Sequence, residues 1–212
     1  MANRKESFIK GLSELCKPVR PLPRPSVRGA VWSVVALVVA VGLTWMVQPF
    51  RPGFMEQLAT HPVFVAEVVS GLLLVPLTAY ALLVLSVPGG RVPVSVIVLL
   101  SFLATVFLFC QPLAFAGLAP ESTMVGKRAA CWLEVIIYGT ILLALIHWFL
   151  RKAMPRFGWR GRIATGLCAG LLPAVLMEIA CLYEPHHQVH YHYLPMLVPV
   201  LCALAHHAVR RR

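Results

Sequence analysis

The residues with the most chemistry to offer lie in one stretch, "CLYEPHHQVHYHY", positions 181–193. It holds Cys181, Glu184, three tyrosines and four histidines: His186, His187, His190 and His192. The whole chain has only eight histidines. Thiols, imidazoles and carboxylates are the ligand types of zinc, copper and similar ions. Metal binding there would neutralise carboxylates and ionise thiols. The spacing HHxxHxH matches no standard zinc pattern, so other readings stand beside this one. Histidine and tyrosine are amphipathic and suit a membrane–water boundary, where such a turn serves as an interface belt. Cys181 can also pair with another cysteine, Cys131, as a redox-active or structural couple, if their Cα atoms lie within about 7 Å.

Three glutamates fall inside apolar runs: Glu67, Glu134 and Glu178. An ionised carboxylate in hydrocarbon costs at least a few kcal/mol. No Lys or Arg lies within a span to pair with them, so they must be protonated, hydrogen-bonded, near water or bound to a cation. Counted along their helices, all three sit about 6–8 Å below the same surface. Cys131 and Glu134 are three residues apart, as are Glu178 and Cys181, so each pair shares a helix face. Cys110 is near that surface too. Cys168 and Cys202 lie deeper and read as small packing residues. His147, His206 and His207 read as interfacial.

The elements that must position these groups follow from composition. The chain has 212 residues, is 59% hydrophobic and only 13% charged, and its mean hydropathy is +0.79. Soluble domains average about 45–50% apolar and about 25% charged residues. Six apolar runs, roughly 29–49, 63–86, 93–114, 130–150, 163–183 and 193–209, each approach the length of about 20 residues that spans a bilayer. Pro76, Pro112, Pro173, Pro195 and Pro199 interrupt them and predict kinks rather than breaks. The expectation is an all-α bundle of six transmembrane helices. "GLCAG", Gly166 to Gly170, is a small-xxx-small pattern for close helix packing. Basic residues set the orientation. With both termini in the cytoplasm, 16 of the 19 Lys and Arg fall inside; only Arg51, Lys127 and Arg128 fall outside. That sorting accounts for most of the net charge of +11 without any direct contact to nucleic acid. The N-terminus lacks an early apolar core, so no cleavable signal peptide is expected.

Every connection is short, so no loop can fold a catalytic domain. The chain divides into residues 1–27, a cytoplasmic segment, and 28–212, the transmembrane domain. "NRKESFIKGLSELC" reads as a helix with Asn3 and Glu6 as a capping box. Phe8, Ile9, Leu12 and Leu15 fall on one face, with Lys10 beside them. Pro18 ends it, and "KPVRPLPRPSVRG" is a stiff, basic tether. Such a helix lies on anionic membrane lipid or enters a groove on a cytoplasmic protein.

With these residues in view, the chain resembles the NrsF-like family of membrane anti-sigma factors. The resemblance spans nearly the whole chain. It rests on the short N-terminal helix followed by "KPVRPLPRP", on Glu67 early in the second run and on Cys131 at the start of the fourth. It also rests on "ACLYEPHHQVHYHYLP", with Cys181, Glu184, Pro185, His192, Leu194 and Pro195 in the expected order. His186, His187 and His190 are additions to the pattern. The resemblance implies a six-helix protein of the bacterial inner membrane that holds an extracytoplasmic-function sigma factor inactive. It implies that Cys131 and Cys181 perceive heavy metals or oxidants, and that the N-terminal segment contacts the sigma factor. The expected sensing set is then Cys131, Cys181, Glu67, Glu134 and Glu178. The candidate metal ligands are Cys131, Cys181, His186, His187, His190 and His192, for zinc, copper or cadmium acting as a signal and not as an obligatory cofactor. The candidate sigma contacts are Phe8, Ile9, Leu12, Leu15 and Lys10. No enzyme activity is expected. Two other classes compete. A membrane thiol–disulfide oxidoreductase would use the cysteine pair, but the chain has no CxxC motif. A small ion- or proton-coupled transporter would use the glutamates, but they cluster at one depth instead of laddering across the membrane.

Overall fold

The computed structural model describes residues 7, 11, 21–118, 126–151, 153 and 157–209. The expected docking residues Phe8, Ile9, Lys10, Leu12 and Leu15 lie outside the described residues. All regular structure among the described residues is helical. In chain order the helices are α1 (Pro25–Val47), α2 (Phe54–Thr60), α3 (Pro62–Leu85), α4 (Val94–Leu113, continued by a π-turn Ala114–Leu118), α5 (Cys131–Arg151), α6 (Trp159–Ala180), α7 (Pro185–Gln188, continued by a π-turn Val189–Tyr193) and α8 (Leu197–Val209). Proline opens α1, α3 and α7, where its missing N–H costs nothing.

Among the described residues, five helices are long and apolar enough to cross a membrane: α1, α3, α4 with its π-turn, α5 and α6. The sixth expected run, 193–209, differs. Its first residue belongs to the π-turn, and the helix proper, α8, has 13 residues. Pro195 lies before α8, and Pro199 falls in its first turn, where proline breaks no intrahelical bond. Pro76, Pro112 and Pro173 sit inside continuous helices, as expected of kinks.

The helix α6 is the axis of the bundle. It packs against α8, α5, α3 and α1, while α4 contacts mainly α3 and leaves most of its surface uncovered. Small residues let the neighbours of α6 come close. A Cβ on Gly166 would lie 2.4 Å from Val200 Cα, and one on Gly170 would lie 2.7 Å from the Met196 carbonyl. The GLCAG pattern therefore seats α8. Trp32, Ala36, Leu83, Leu142, Ile146 and Leu172 fill the core beside it. The uncovered side chains are apolar, among them Val34, Val38, Val94, Phe102 and Leu108, as suits helices facing hydrocarbon.

Antiparallel connection brings the ends of α1, α4 and α6 together with the starts of α3 and α5. The turn 181–194 caps this end of the bundle, and every candidate sensing residue lies there.

Candidate functional site

Two loops and two helix ends build the site. Cys131 is the first residue of α5, and Cys181 follows the last residue of α6. Both are buried thiols. The histidine turn is aimed by Glu184, whose carboxylate caps α7. It accepts the backbone N–H of His187 at 2.5 Å and that of His186 at 3.1 Å. Such a cap is worth about 1 kcal/mol and starts the helix at a defined residue. The π-turn follows, closed by the Leu194 N–H on the Val189 carbonyl at 3.0 Å.

The result is a buried quartet. Cys131, Cys181, His187 and His192 present ligand atoms that all lie within 4.8 Å of one another. His187 Nε2 is 3.4 Å from both Cys131 Sγ and Cys181 Sγ. Ligands held at about 2.0–2.3 Å from a tetrahedral ion stand about 3.3–3.8 Å apart, so the spacing suits a four-coordinate Cys2His2 site. His192 is fully buried, and its imidazole faces the Cys181 thiol. Burial holds its imidazole below the ordinary histidine value, which keeps it neutral and able to act as a ligand. The His187 and His192 rings meet edge to face at 5.2 Å, and the backbone N–H of Arg128 donates to Cys181 Sγ at 3.4 Å.

The other expected ligands are elsewhere. His186 and His190 are exposed; His190 Nδ1 donates to the His186 carbonyl at 2.8 Å, and the His186 ring packs on Phe115.

The three glutamates divide. Glu134 is not without a cation, contrary to the expectation from the spans. Arg128, from the loop before α5, reaches it at 2.5 Å in a buried ion pair. Tyr138 Oη adds a bond at 3.1 Å. The same guanidinium donates to carbonyls at the end of α1, those of Thr44, Gln48 and Pro49, and to that of Ala180. The reading of spans alone could not find Arg128, because it enters from a loop. Glu67 and Glu178 form a separate cluster with Tyr193, Tyr183 and Gln111. The tyrosines and Gln111 were not singled out from the sequence; what marks them is only their nearness to buried carboxylates.

The family described as NrsF, negative regulator of sigma F, matches residues 12–210. The chain belongs to the NrsF family. Neither a curated protein nor a solved structure matches it. As an NrsF protein it is a negative regulator of a sigma factor, a regulatory and not an enzymatic role, and it is built from helices apolar enough for a membrane. The resemblance drawn from "KPVRPLPRP", Glu67, Cys131 and the 181–195 turn is thus met by the family match.

Proposed function

We propose that this NrsF protein sequesters an extracytoplasmic-function sigma factor at the bacterial inner membrane and releases it when the Cys131–Cys181–His187–His192 quartet takes up a heavy-metal ion. Both termini face the cytoplasm in this reading. Residues 1–27 hold the sigma factor, with Phe8, Ile9, Leu12 and Leu15 as apolar anchors and Lys10 as a charged contact. The quartet faces the opposite compartment. The observation that carries the sensing half is the quartet itself, two thiols and two imidazoles buried together within 4.8 Å.

The charge count supports a divalent soft or borderline ion. Cys131 and Cys181 bind as thiolates and His187 and His192 as neutral rings. Two negative charges meet two positive ones, so the occupied site is neutral, as a site with so little water access requires. Zinc, copper and cadmium all suit sulfur and imidazole. Binding must favour one state of the bundle over the other, or it shifts nothing. The four groups supply that difference, since Cys131 is on α5, Cys181 closes α6, and His187 and His192 sit on the turn leading to α8. Drawing the four together fixes the relative positions of these elements. The proposed outcome is a change at the far end of the bundle that weakens the grip of residues 1–27.

The test is a pull-down of the tagged protein from gently solubilised native membranes, with and without residues 1–17, followed by mass spectrometry. A sigma factor retained by the full-length chain, lost on deletion and released by cadmium is the expected result. Retention unaffected by deletion would sink the docking assignment. Release by cadmium in a Cys131→Ser/Cys181→Ser protein would sink the sensor assignment. Release by an oxidant but not by any metal would assign the two thiols to oxidation instead.

A further inference from the structure

A second buried polar cluster lies at the same end of the bundle, and the thiol–imidazole chemistry does not use it. Glu67 from α3 and Glu178 from α6 are both fully buried. One hydroxyl, that of Tyr193, stands between them. It is 2.5 Å from Glu67 Oε1 and is also bonded to Glu178 Oε1. The other donors to the carboxylates go to Glu67: Tyr183 Oη to Oε2 at 2.6 Å and the Gln111 amide to Oε1, the same amide also donating to Tyr193 Oη at 3.1 Å. Glu178 Oε2 is buried and receives no hydrogen bond.

Counting hydrogens decides what this arrangement must contain. A tyrosine hydroxyl carries one hydrogen and can serve one carboxylate oxygen. The second carboxylate oxygen at hydrogen-bond distance would meet only lone pairs, unless its own carboxyl carries a proton. Charge leads to the same answer. Two ionised carboxylates side by side in a buried site cannot both persist without a cation. Among the described residues the ion pair at this end is Arg128 with Glu134. Arg51 is buried nearby, but it reaches Glu178 only at the backbone carbonyl, 3.4 Å away, and its guanidinium otherwise lies over the Phe64 ring. The other titratable groups facing the pair are Tyr183, Tyr193 and Cys110, and none of these carries positive charge in any state.

The geometry points to Glu67, Tyr193 and Glu178 as a proton-binding site in which one proton is shared between two carboxyl groups through the tyrosine hydroxyl. The shared proton ties α3 to α6. Its regulation follows from chain connectivity. Tyr193 and His192 are consecutive residues of one π-turn, one in the carboxyl bridge and the other in the quartet. A displacement of His192 onto a bound ion carries Tyr193 with it and disturbs the bridge. This coupling rests on the metal reading above; the proton site does not.

Infrared spectroscopy of the detergent-solubilised full chain tests both parts. A neutral carboxyl has a C=O stretch well apart from the carboxylate bands, and it shifts in D2O. At neutral pH the unmodified protein is expected to show this band. The isosteric Glu67→Gln/Glu178→Gln protein should lose it, and Tyr193→Phe should shift it while circular dichroism stays unchanged. Should the double variant fail to fold, Tyr193→Phe alone decides. No neutral carboxyl band in the unmodified protein, or a band indifferent to Tyr193→Phe, overturns the proton site. Cadmium chloride is then added, with thiolate-to-cadmium absorption in the ultraviolet reporting whether the quartet has taken the ion. A shift of the carboxyl band together with that absorption, both absent in Cys131→Ser/Cys181→Ser, is the expected result. Thiolate absorption without a band shift overturns the coupling. Absence of thiolate absorption sinks the metal reading and the coupling together, while the metal-free spectra still decide the proton site.

Discussion

Replacing Arg128 with methionine is expected to destabilise the bundle by about 3–5 kcal/mol, the usual cost of removing one partner from a buried ion pair. The side chain is almost inaccessible and makes several bonds at once. Its strongest is the 2.5 Å contact to Glu134. Others go to carbonyls at the end of α1 and to Ala180 at 3.3 Å. A cation there also opposes the negative pole of the α1 C-terminus. Methionine leaves the Glu134 carboxylate buried with Tyr138 as its remaining partner at 3.1 Å. That hydroxyl also faces the Leu43 carbonyl at 3.2 Å, so its single hydrogen is contested. Glu134→Gln is milder, about 1–3 kcal/mol, because the guanidinium keeps its carbonyl acceptors. The double variant should be more stable than the sum of its singles by at least about 1 kcal/mol, since the stranded charge is gone.

The assay is reversible unfolding in mixed micelles titrated with SDS, followed by far-ultraviolet circular dichroism. A second readout comes from the thiols. Cys131 and Cys181 are 1% and 0% exposed, so a maleimide should label them faster when Arg128 no longer holds α1, α5 and the end of α6 together. Arg128→Met within about 1 kcal/mol of the unmodified protein, or singles that simply add, would refute the account of Arg128 as the tie at this end.

Other expectations concern the turn and the helix contacts. His187→Ala and His192→Ala should weaken zinc or cadmium binding by more than the about 10–100-fold that an outer partner costs, while His186→Ala and His190→Ala leave it unchanged in equilibrium dialysis. Glu184→Ala removes the α7 cap and should cost about 1 kcal/mol in the same unfolding assay, with weaker metal binding because His187 is no longer aimed. Gly166→Ala should cost about 1–3 kcal/mol, since its Cβ would stand 2.4 Å from the α8 backbone and no side-chain rotation relieves a backbone clash.

Much of the fold can be read from the amino-acid order because apolar runs, prolines and small-residue patterns are local signals. Gly166 and Gly170 announced a close helix contact without saying with what. The described prolines sit where kinks or first turns tolerate them. The site was legible only in part. Cys131 and Cys181 could be matched by depth and by the family resemblance, and Glu67, Glu134 and Glu178 by their burial. Arg128 escaped because a loop residue counted as outside solvent-facing charge folds back beneath the surface. Tyr193 escaped because tyrosine near a membrane boundary has an ordinary explanation. Which histidines would join the cysteines was not legible, because the answer depends on backbone winding.

That winding is the part of the structure on which both buried clusters depend. At about 100° per residue, an α-helix puts residues five apart about 140° from each other, while residues four apart nearly superpose. A regular helix through the turn would therefore align His186 with His190 and split His187 from His192. The i→i+5 bond from Leu194 to Val189 takes one more residue per turn and swings the pair five apart back towards one side. His187 and His192 then meet at 5.2 Å, and the pair four apart is left at the surface. The same extra residue sends Tyr193 towards Glu67 and Glu178. Such π-turns are rare and recur at functional sites, and this one gives two neighbouring residues to two different clusters. Inserting or deleting one residue between Val189 and Leu194 would dismantle both, whereas exchanging His186 or His190 would dismantle neither. A sensor of the kind proposed, which would convert ligand uptake into helix movement, needs such a shared element, because a ligand that reorganised only its own four side chains would leave α3 and α6 where they were.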